Sequence, residues 1–456
     1  MIQAEEAFLK LKKHYFDKPT SLAVERKSRL KAMQRWIKAH ESEIIAAVCE
    51  DLGKPEEEVL ITEFFSVNKE IETALINLRD WMAPQKAGWI WYLFLSSGKT
   101  MVEPKGVSLI LSPWNFPFLL AISPLVSAVS AGNYVLLKPS EFAPKTAKVV
   151  KRLCEEVFIA GEVICLTGDA ALAATLTRLP FNHIFFTGSP QIGKLVMHSA
   201  AENLTSFTLE LGGCNPAVID QTANLKMAVK RILQGKNLNN GQSCVAPNTL
   251  YIHESVFDEA LLLLKKQTHE LANFERRVVN ERHFERLEAI EVEAINHGDD
   301  LLVAPIKDKK KLIYTNALFL CGDNSPLIGE ELFGPQLGVC KYSDLNTLLN
   351  NLRKKEKPLA AYLFTRSRKN RKLFEAKLST GTMCINETTI QVAYPGLPFG
   401  GSNYSGIGKS KGYYGFREFS NEKAVTHQSR WFTPLMLLYQ PVTGVKRLLI
   451  RLVGRL

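Results

Sequence analysis

A cysteine, a glutamate and an asparagine in glycine- or proline-rich contexts could together carry out acyl chemistry. Cys244 ends the loop sequence Gly-Gln-Ser-Cys, and Glu210 begins Glu-Leu-Gly-Gly at the end of a predicted strand. A thiolate is a strong nucleophile, and a separate carboxylate can act as the base of a second step. Asn115 lies in Pro-Trp-Asn-Phe-Pro, where its amide could stabilise an oxyanion or merely cap a helix. Taken alone, Cys244 fits a small buried hydrophobe better than a nucleophile, since most buried cysteines are of that kind.

Two further motifs are typical of a nucleotide site. Lys138 and Glu141 follow the predicted strand YVLLK and offer an ammonium and a carboxylate that suit ribose hydroxyls. The sequence FTGSPQIG places Gly188, Ser189 and Gly193 at a strand-to-helix turn, where backbone amides at a helix N-terminus favour phosphate. This is not the GxGxxG fingerprint, and an ordinary strand-to-helix turn stays the alternative.

Two later segments also stand out, EELFGP at 330–335 and PFGGSNYSGIG at 398–408. Paired acids before an aromatic residue are common at helix starts, and a glycine run can be a simple loop. In isolation, neither segment indicates a function.

The elements that must position these residues alternate between short apolar strands and amphipathic helices. From 103 to 219 the strands SLILS, YVLLK, EVICL, HIFF, FTLEL and PAVID are separated mainly by helical segments, a pattern that predicts a mostly parallel sheet covered by helices. Strands such as LGVCKY and AAYLFT continue the alternation to about residue 400. Near the N-terminus, helical spacing of apolar residues from Ser21 to Gly53 predicts one long helix.

Composition narrows the class of protein. The 456 residues are 46% hydrophobic and show no period, which excludes disordered and repeat proteins. The formal net charge of +11 suggests an anionic partner such as a nucleotide or a membrane surface, but the excess is modest for nucleic acid, so no nucleic-acid partner is expected. Eight cysteines without metal-ligand spacing and an N-terminus without a signal-peptide pattern predict a cytoplasmic protein with no metal site.

Seven motifs in one order, WNFP, KPSE, FTGS, ELGG, GQSC, EELFGP and PFGGSNYSGIG, resemble the aldehyde dehydrogenase superfamily over roughly residues 20 to 425. The sequence 280–287, the short N-terminus and the length are similar to the class 3 branch, which oxidises fatty and aromatic aldehydes. The resemblance implies an α/β fold with a Rossmann-type parallel-sheet cofactor domain, an α/β catalytic domain and a small oligomerisation sheet. The implied ranges are 1–80 and 104–209 for the NAD-binding domain, 210–405 for the catalytic domain, and 81–103 and 406–430 for oligomerisation.

The resemblance also assigns roles. Cys244 would be the nucleophile and Glu210 the base, and Asn115 would stabilise the oxyanion together with the Cys244 backbone N–H. The residues expected to bind the cofactor are Trp114, Lys138, Glu141, Gly188, Ser189, Gly193, Glu331 and Phe333. The residues expected to line the substrate entrance are Phe116, Phe118, Leu119 and Leu120. NAD is favoured, with NADP possible, because the Glu141 carboxylate would repel a 2′-phosphate.

Some positions depart from the class 3 pattern. Ser410-Lys411-Gly412 stands where Tyr-His-Gly is usual, Asn421 where a histidine often follows Phe-Ser, and Glu387 where aspartate is more usual. The expected reaction is NAD(P)-dependent oxidation of medium- or long-chain aliphatic or aromatic aldehydes through a cysteine thiohemiacetal and a thioester. The alternatives are a coenzyme A-acylating dehydrogenase, against which Glu210 argues, and a catalytically silent membrane scaffold.

Two segments with apolar patterns indicate contact with a second subunit or with a membrane. The run WIWYLFL at 89–95 is too short to span a bilayer. It predicts burial in a homodimer, or else a membrane-facing or substrate-entry surface. The tail 431–456 is basic and carries no acid; Val445, Leu448, Leu449, Leu452 and Leu456 share one helical face. An amphipathic cationic helix over 442–456 predicts peripheral contact with an anionic membrane, at its inner face, while docking onto a partner subunit and a disordered tail stay open.

Overall fold

The computed structural model describes residues 2–158, 161–272, 274, 276–322 and 324–453, so Leu456 of the predicted tail face lies outside the described residues. The helices are α1 Ile2–Asp17, α2 Ala23–Ala39, α3 Glu41–Leu52, α4 Glu56–Val59, α5 Ser66–Met82, α6 Leu119–Ala131, α7 Pro144–Val157, α8 Ala170–Thr177, α9 Pro190–Glu202, α10 Leu225–Asn237, α11 Phe257–Ala272, α12 Glu281–His297, α13 Pro326–Gly329, α14 Leu345–Leu352, α15 Arg368–Lys377, α16 Gly412–Glu418 and α17 Gly444–Val453.

The strands are β1 Gln85–Lys86, β2 Ser96–Pro104, β3 Val107–Leu111, β4 Tyr134–Lys138, β5 Val163–Cys165, β6 His183–Thr187, β7 Ser206–Glu210, β8 Pro216–Ile219, β9 Thr249–His253, β10 Asp300–Val303, β11 Lys307–Asp308, β12 Ile313–Tyr314, β13 Ala317–Leu320, β14 Gln336–Tyr342, β15 Ala360–Phe364, β16 Thr382–Ile385, β17 Gly406–Ile407 and β18 Ser420–Gln428.

The first sheet has six strands in the order β17-β7-β6-β3-β4-β5. The pairs from β7 to β5 are all parallel, and β17 adds an antiparallel edge strand beside β7. Helices α2, α5, α6 and α7 contribute to the core on one face, and α1, α8 and α9 to the core on the other. A parallel sheet needs such cover because its crossovers run over both faces.

The second sheet has seven strands in the order β10-β13-β14-β9-β8-β15-β16, parallel except for the edge pair β10 and β13. Helices α10 and α11 pack on one face, and α12, α14 and α15 on the other. The α/β fold with a Rossmann-type sheet predicted from the alternation is confirmed. The roles of the two units as cofactor and catalytic domains stay predictions.

A third, small sheet projects from the first unit. Strand β2 pairs antiparallel with β18 from Ser96↔Gln428 to Pro104↔Ser420, and β1 extends β2 on its other side. Of the range 406–430, only β18 joins this sheet. The rest supplies β17 to the six-stranded sheet and α16, which packs against α5 and α6.

The prediction of one helix over 21–53 is wrong, because the chain breaks at His40 into α2 and α3. His40 leaves helical geometry at φ −115° and ψ 25°, and its ring Nδ1 lies 2.8 Å from the Trp36 carbonyl oxygen. The two helices pack on different neighbours. Helix α2 packs on α5 and α6, and α3 packs mainly on α7. None of the helices in the described ranges combines the length and apolar character needed to cross a bilayer.

Candidate active site

Most of the predicted site residues follow the carboxyl ends of neighbouring parallel strands. Asn115 follows β3, Lys138 ends β4, Gly188 follows β6 and Glu210 ends β7. Because these strands are adjacent and parallel, their carboxyl ends meet at one edge of the sheet. The fold therefore gathers at one edge residues that are up to 95 positions apart in the sequence.

Cys244 lies on a loop of unusual backbone geometry. Three residues in succession before it have positive φ: Asn239 at 47°, Asn240 at 55° and Gly241 at 73°. Asparagine and glycine are the residues that tolerate this left-handed conformation best. A Cβ at Gly241 would lie 2.1 Å from the Gly334 carbonyl oxygen, so this position also needs glycine for close packing. The Asn-Asn-Gly sequence thus explains the sharp turn that presents Cys244.

Asn215 fixes the backbone of the cysteine itself. Its Nδ2 donates to the carbonyl oxygens of Cys244, at 2.7 Å, and Ala246, at 3.0 Å. Its Oδ1 accepts from the Ala360 N–H at 2.8 Å, which ties the loop to β15. Asn215 is 1% exposed, and every one of these hydrogen bonds is therefore shielded from water. The Cys244 side chain is half-buried against the core of the seven-stranded unit.

Asn115 joins the edge of the first sheet to the cysteine loop. Its Nδ2 donates to the Gln242 carbonyl oxygen at 3.1 Å, two residues before Cys244. Its own carbonyl oxygen accepts from Asn239 Nδ2 and from Lys54 Nζ, both at 2.8 Å. An amide nitrogen carries two N–H donors, so one stays available for an oxyanion.

A buried ion pair, Lys54 and Glu63, holds the backbone around Asn115. Lys54 Nζ lies 2.9 Å from Glu63 Oε1, and both side chains are at most 1% exposed. Glu63 lies in a π-helical turn at Leu60–Phe65, and its Oε2 accepts from the backbone N–H of Phe118 and of Leu119. The pair thus holds both sides of the Asn115 segment, although nothing in the local sequence links residues 54 and 63 to it.

Burial governs the electrostatics of Glu210. The residue is 6% exposed, and neither carboxyl oxygen has a hydrogen-bond partner among the described residues. Burial raises the pKa of the Glu210 carboxyl to about 8. The Ser410 hydroxyl, which faces the carboxyl without completing a hydrogen bond, and the ammonium groups of Lys409 and Lys411 lower this pKa. The ionised form of such a carboxyl is a stronger base than an ordinary glutamate and can take a proton from water.

The thiol of Cys244 is influenced by the same group of charges. Burial, followed by the charges of Glu331 and Glu210, raises the pKa of the Cys244 thiol to about 12. Lys411 lowers it. The charge of Glu210 thus acts on the Cys244 thiol, the other predicted catalytic side chain.

The residues expected around the adenine ribose and the phosphates make three different kinds of contact. Lys138 Nζ and Glu141 Oε2 form an ion pair at 3.1 Å, with the lysine buried and the glutamate exposed. The Ser189 hydroxyl caps α9 by accepting from the Ile192 N–H. A Cβ on Gly193 would lie 3.0 Å from Leu211 Cδ2, so this glycine lets α9 approach the sheet closely.

Glu331 has a buried carboxyl oxygen that could accept a hydrogen bond from a ligand. Its Oε1 is buried without a hydrogen bond to any residue in the described ranges, and a Cβ on Gly212 would lie 2.0 Å from that atom. Burial raises the pKa of the carboxyl to about 7, while Gly213, Arg286 and Lys236 lower it. Such an oxygen fits a ribose hydroxyl, which would supply the absent donor.

An aromatic pair includes Phe333, which lies two residues after Glu331 in the sequence. The rings of Trp114 and Phe333 lie 5.6 Å apart and nearly perpendicular, and Phe333 has a φ of 48°. Glu331 Oε1, which has no hydrogen-bond partner in the part of the chain that the structure describes, the buried ammonium of Lys138, the glycine turn after β6 and these aromatic rings together fit a nicotinamide dinucleotide.

The expected substrate-lining residues do not share one environment. Phe118 has no exposed area and packs in the core under α2, α5 and α6, so the prediction that it lines an entrance is wrong. Apolar side chains following Asn115 were expected to face the cleft, but Phe118 faces the core at the start of α6. The Lys54 Nζ lies 3.9 Å from the centroid of the Phe116 ring. Leu119 and Leu120 are partly exposed.

Three residues near the candidate site, Lys54, Asn215 and Lys236, were not predicted from the sequence. Lys54 and Asn215 act through hydrogen bonds to residues 61 and 29 positions away. Lys236 is 1% exposed, and burial lowers the pKa of its ammonium to about 7 against the charge of Glu331. Only Lys236 left a signal, a lysine on the apolar side of α10. In the described ranges, no group of His, Cys, Asp and Glu side chains could hold a metal ion.

The fold and the residues at its sheet edge define an α/β oxidoreductase that uses a nicotinamide dinucleotide. Within that class, the chain belongs to the aldehyde dehydrogenase family, whose sequence pattern matches residues 3–425. It is accordingly an NAD(P)-dependent aldehyde dehydrogenase.

Similar proteins include 4,4'-diaponeurosporen-aldehyde dehydrogenase of Staphylococcus aureus, 37% identical over 89% of each chain. Aldehyde dehydrogenase family 3 member H1 of Arabidopsis thaliana is 35% identical over 99% of this chain and 95% of its own. The substrate-bound structure of Staphylococcus aureus AldH has a TM-score of 0.93 at 34% identity and covers 99% of both chains. Betaine aldehyde dehydrogenase from Staphylococcus aureus in complex with NAD+ has a TM-score of 0.86 at 25% identity, over 94% of this chain and 89% of that one.

Proposed function

We propose that the chain oxidises apolar aldehydes to carboxylic acids, with Cys244 as nucleophile, Glu210 as base and Asn115 as oxyanion donor. One observation carries this proposal. The Asn115 amide is hydrogen-bonded to the loop of Cys244. The buried Glu210 carboxyl, whose oxygens find no hydrogen-bond partner among the described residues, influences the same thiol. These two relationships support a single site for the nucleophile, the base and the oxyanion donor.

The first half of the reaction forms a bond to sulfur. The Cys244 thiolate adds to the aldehyde carbon, and the carbonyl electron pair moves to oxygen. Asn115 Nδ2 and the Cys244 backbone N–H donate to that oxygen. Bound NAD(P)+ would supply the acceptor for the hydride that leaves the carbon as the oxygen re-forms its double bond, and a thioester on Cys244 would remain. Trp114, Lys138, Glu141, Gly188, Ser189, Gly193, Glu331 and Phe333 are the residues proposed to hold this cofactor.

The second half breaks the bond to sulfur. Glu210 takes a proton from water, the water oxygen attacks the thioester carbon, and the carbon–sulfur bond breaks to release acid and thiolate. The presence of Glu210 favours water over coenzyme A as acceptor. The exposed Glu141 carboxylate beside Lys138 supports NAD over NADP, since it would repel a 2′-phosphate.

The substrate class is proposed from the relatives and from the surface. The Staphylococcus aureus relative is described as acting on diaponeurosporen-aldehyde, and the family 3 member belongs to the branch that the sequence resembles. We infer medium- or long-chain aliphatic or aromatic aldehydes for this chain.

Dehydrogenation tests the proposal. NADH formation is measured at an absorbance wavelength where NAD+ is silent, with aldehydes of increasing length, for the native chain and Cys244→Ser. We expect turnover without coenzyme A that rises with chain length and is lost in the variant. Strict dependence on coenzyme A would instead establish an acylating enzyme, and no turnover of any aldehyde would favour a silent scaffold.

We also propose peripheral membrane contact through the tail. Helix α17 leaves Val445, Leu448, Leu449 and Leu452 exposed, while Lys446, Arg447 and Arg451 supply positive charge. The segment before it contacts the apolar run at 89–95, with the rings of Phe94 and Phe432 5.3 Å apart. A continuous apolar and basic surface suits an anionic bilayer, where long aldehydes dissolve.

A homodimer is proposed through the small sheet. Strand β18 pairs with β2 on one side, and its other edge has no partner strand in the described part of the chain. Its residues after Ser420 are mostly exposed. A free edge of nine residues is normally covered by another strand, and a second copy could provide one.

A further inference from the structure

Glu58 on α4 is hydrogen-bonded to the left-handed turn that precedes Cys244. Its Oε1 accepts from the Asn239 backbone N–H at 2.7 Å, across 181 positions of the sequence. Its Oε2 lies 2.6 Å from Arg276 Nη1, and the side chains of Glu58 and Arg276 are only 8% and 20% exposed. Hydrogen bonds to an ionised acceptor are stronger than neutral ones, and partial burial strengthens them further. The carboxylate is thus a firm attachment point for the turn.

Asn239 connects this attachment point to the proposed oxyanion site. Its Nδ2 donates to the Asn115 carbonyl oxygen at 2.8 Å and to the Gln242 carbonyl oxygen at 3.1 Å. The same Gln242 oxygen accepts from Asn115 Nδ2 at 3.1 Å. Asn239 has a φ of 47°, a conformation that persists in an L residue only where neighbouring contacts hold it. A shift of this residue would therefore move the Asn115 segment relative to the loop of Cys244.

The ionic partner of Glu58 belongs to a second segment that also supports the loop. The Arg276 carbonyl oxygen accepts from the Tyr314 N–H of β12 at 3.3 Å. Three residues further on, the Val279 N–H donates to Gln242 Oε1 at 2.9 Å. The two oxygens of the Glu58 carboxylate thus connect the turn with a backbone segment that is itself hydrogen-bonded to the cysteine loop.

We propose that Glu58 is a positioning residue, which fixes the turn at Asn239 and thereby keeps the Asn115 amide aligned with Cys244. The inference rests on the roles proposed above for Asn115 and Cys244. Glu58 acts through Asn239 and contacts neither the aldehyde nor the cofactor in this scheme. Because small displacements of reacting groups slow the chemical step strongly, loss of the carboxylate should lower kcat more than it changes KM.

A cycle of kcat measurements on Glu58→Ala, Asn115→Ala and the double variant tests this inference. A residue that acts through Asn115 loses its effect once the amide is absent, whereas a residue that acts independently lowers kcat by the same factor in both backgrounds. For Glu58→Ala alone we expect kcat lowered about tenfold, with KM within about threefold of native. In the Asn115→Ala background, the same substitution should lower kcat by less than about threefold.

Two further variants are matched controls. Glu58→Gln keeps a side-chain oxygen that can accept from the Asn239 N–H, so its kcat should stay within about threefold of native. Glu57→Ala removes an exposed carboxyl from the same helix and should have native kcat and KM. If Glu58→Ala does not fold, as judged by circular dichroism, Glu58→Met replaces it under the same criteria.

Several results would overturn the inference. They are an equal loss from Glu58→Ala in both backgrounds, native kcat in a folded Glu58→Ala, and a loss in Glu58→Gln or Glu57→Ala as large as in Glu58→Ala. Failure of the proposed aldehyde oxidation is distinguishable, because it would appear as native kcat in Asn115→Ala or full activity in Cys244→Ser, whatever residue stands at position 58.

Discussion

Asn115 Nδ2 donates to the Gln242 carbonyl oxygen at 3.1 Å, a hydrogen bond across 127 sequence positions that connects the edge of the parallel sheet to the nucleophile loop. Asn115 is 3% exposed, so the bond is shielded from water. The same amide nitrogen thus helps to set the position of the Cys244 loop and retains one N–H for a reacting oxygen.

Replacing Asn115 by alanine should lower kcat/KM by about 100-fold or more, because loss of one oxyanion donor typically has an effect of that size. The loop keeps its other supports from Asn215, so iodoacetamide should still alkylate Cys244 at close to the native rate. Stopped-flow NADH measurements and peptide mapping check the two halves separately. A kcat/KM within threefold of native would remove Asn115 from the proposed mechanism.

The buried pair Lys54 and Glu63 should be strongly coupled. Lys54→Met alone leaves a buried carboxylate unpaired and should lower the free energy of unfolding by about 3 to 5 kcal/mol. The double variant Lys54→Met/Glu63→Gln should be less destabilised than the sum of the single variants, because neither charge is then left alone. Urea unfolding of the four proteins measures this cycle, and simple additivity would contradict the coupling.

Glu210 should make stability depend on pH. Its pKa is raised by burial from 4.5 to about 8 in the folded chain. The stabilising contribution of the protonated form is therefore complete below pH 4.5 and is lost as the pH rises through 8. Glu210→Gln cannot ionise, so between pH 5 and 8 its unfolding free energy should fall by about 2 to 4 kcal/mol less than that of the native chain.

Urea unfolding at both pH values measures this difference. Glu202→Gln, which changes an exposed carboxyl at the end of α9, is the control and should follow the native pH dependence. Parallel pH dependences for the native chain and Glu210→Gln would mean that the carboxyl is already ionised near pH 5 in the folded state.

Deletion of 442–456 should reduce co-sedimentation with vesicles containing anionic lipid by about tenfold at low salt and leave turnover of a short, soluble aldehyde within twofold of native. Neutral vesicles should bind weakly in both cases, and added salt should weaken native binding because the attraction is partly electrostatic. The variant Lys446→Glu/Arg451→Glu keeps the apolar residues and should behave like the deletion. Unchanged binding of either variant would exclude the tail as the membrane contact.

Local patterns and parallel topology account for what the sequence predicted well. Asn115, Lys138, Gly188 and Glu210 each follow an apolar strand, and strands of one parallel sheet end at the same edge. The helix break and the hydrogen bonds between residues distant in the sequence have no comparable local sequence pattern. The break at His40 involves neither a proline nor a glycine, and it coincides with different packing partners for α2 and α3.

The missed supports have a common physical cause. Lys54 and Asn215 matter because they reach carbonyl groups far along the chain, and one-dimensional spacing does not reveal such contacts. Phe118 looked like a cleft residue because it follows Asn115, yet α6 turns it into the core. The conformation of Asn239 was readable in principle, since Asn-Asn-Gly favours positive φ.

Acyl transfer to Cys244 is the central claim, and trapping it is the most direct test. Glu210→Gln is mixed with NAD+ and a long-chain aldehyde, quenched in acid, digested and mapped by mass spectrometry. We predict a single burst of NADH with slow subsequent turnover, and a peptide containing Cys244 heavier by the aldehyde less two hydrogens. A burst of NADH with Cys244 unmodified, or with the acyl group on another cysteine, would contradict the account.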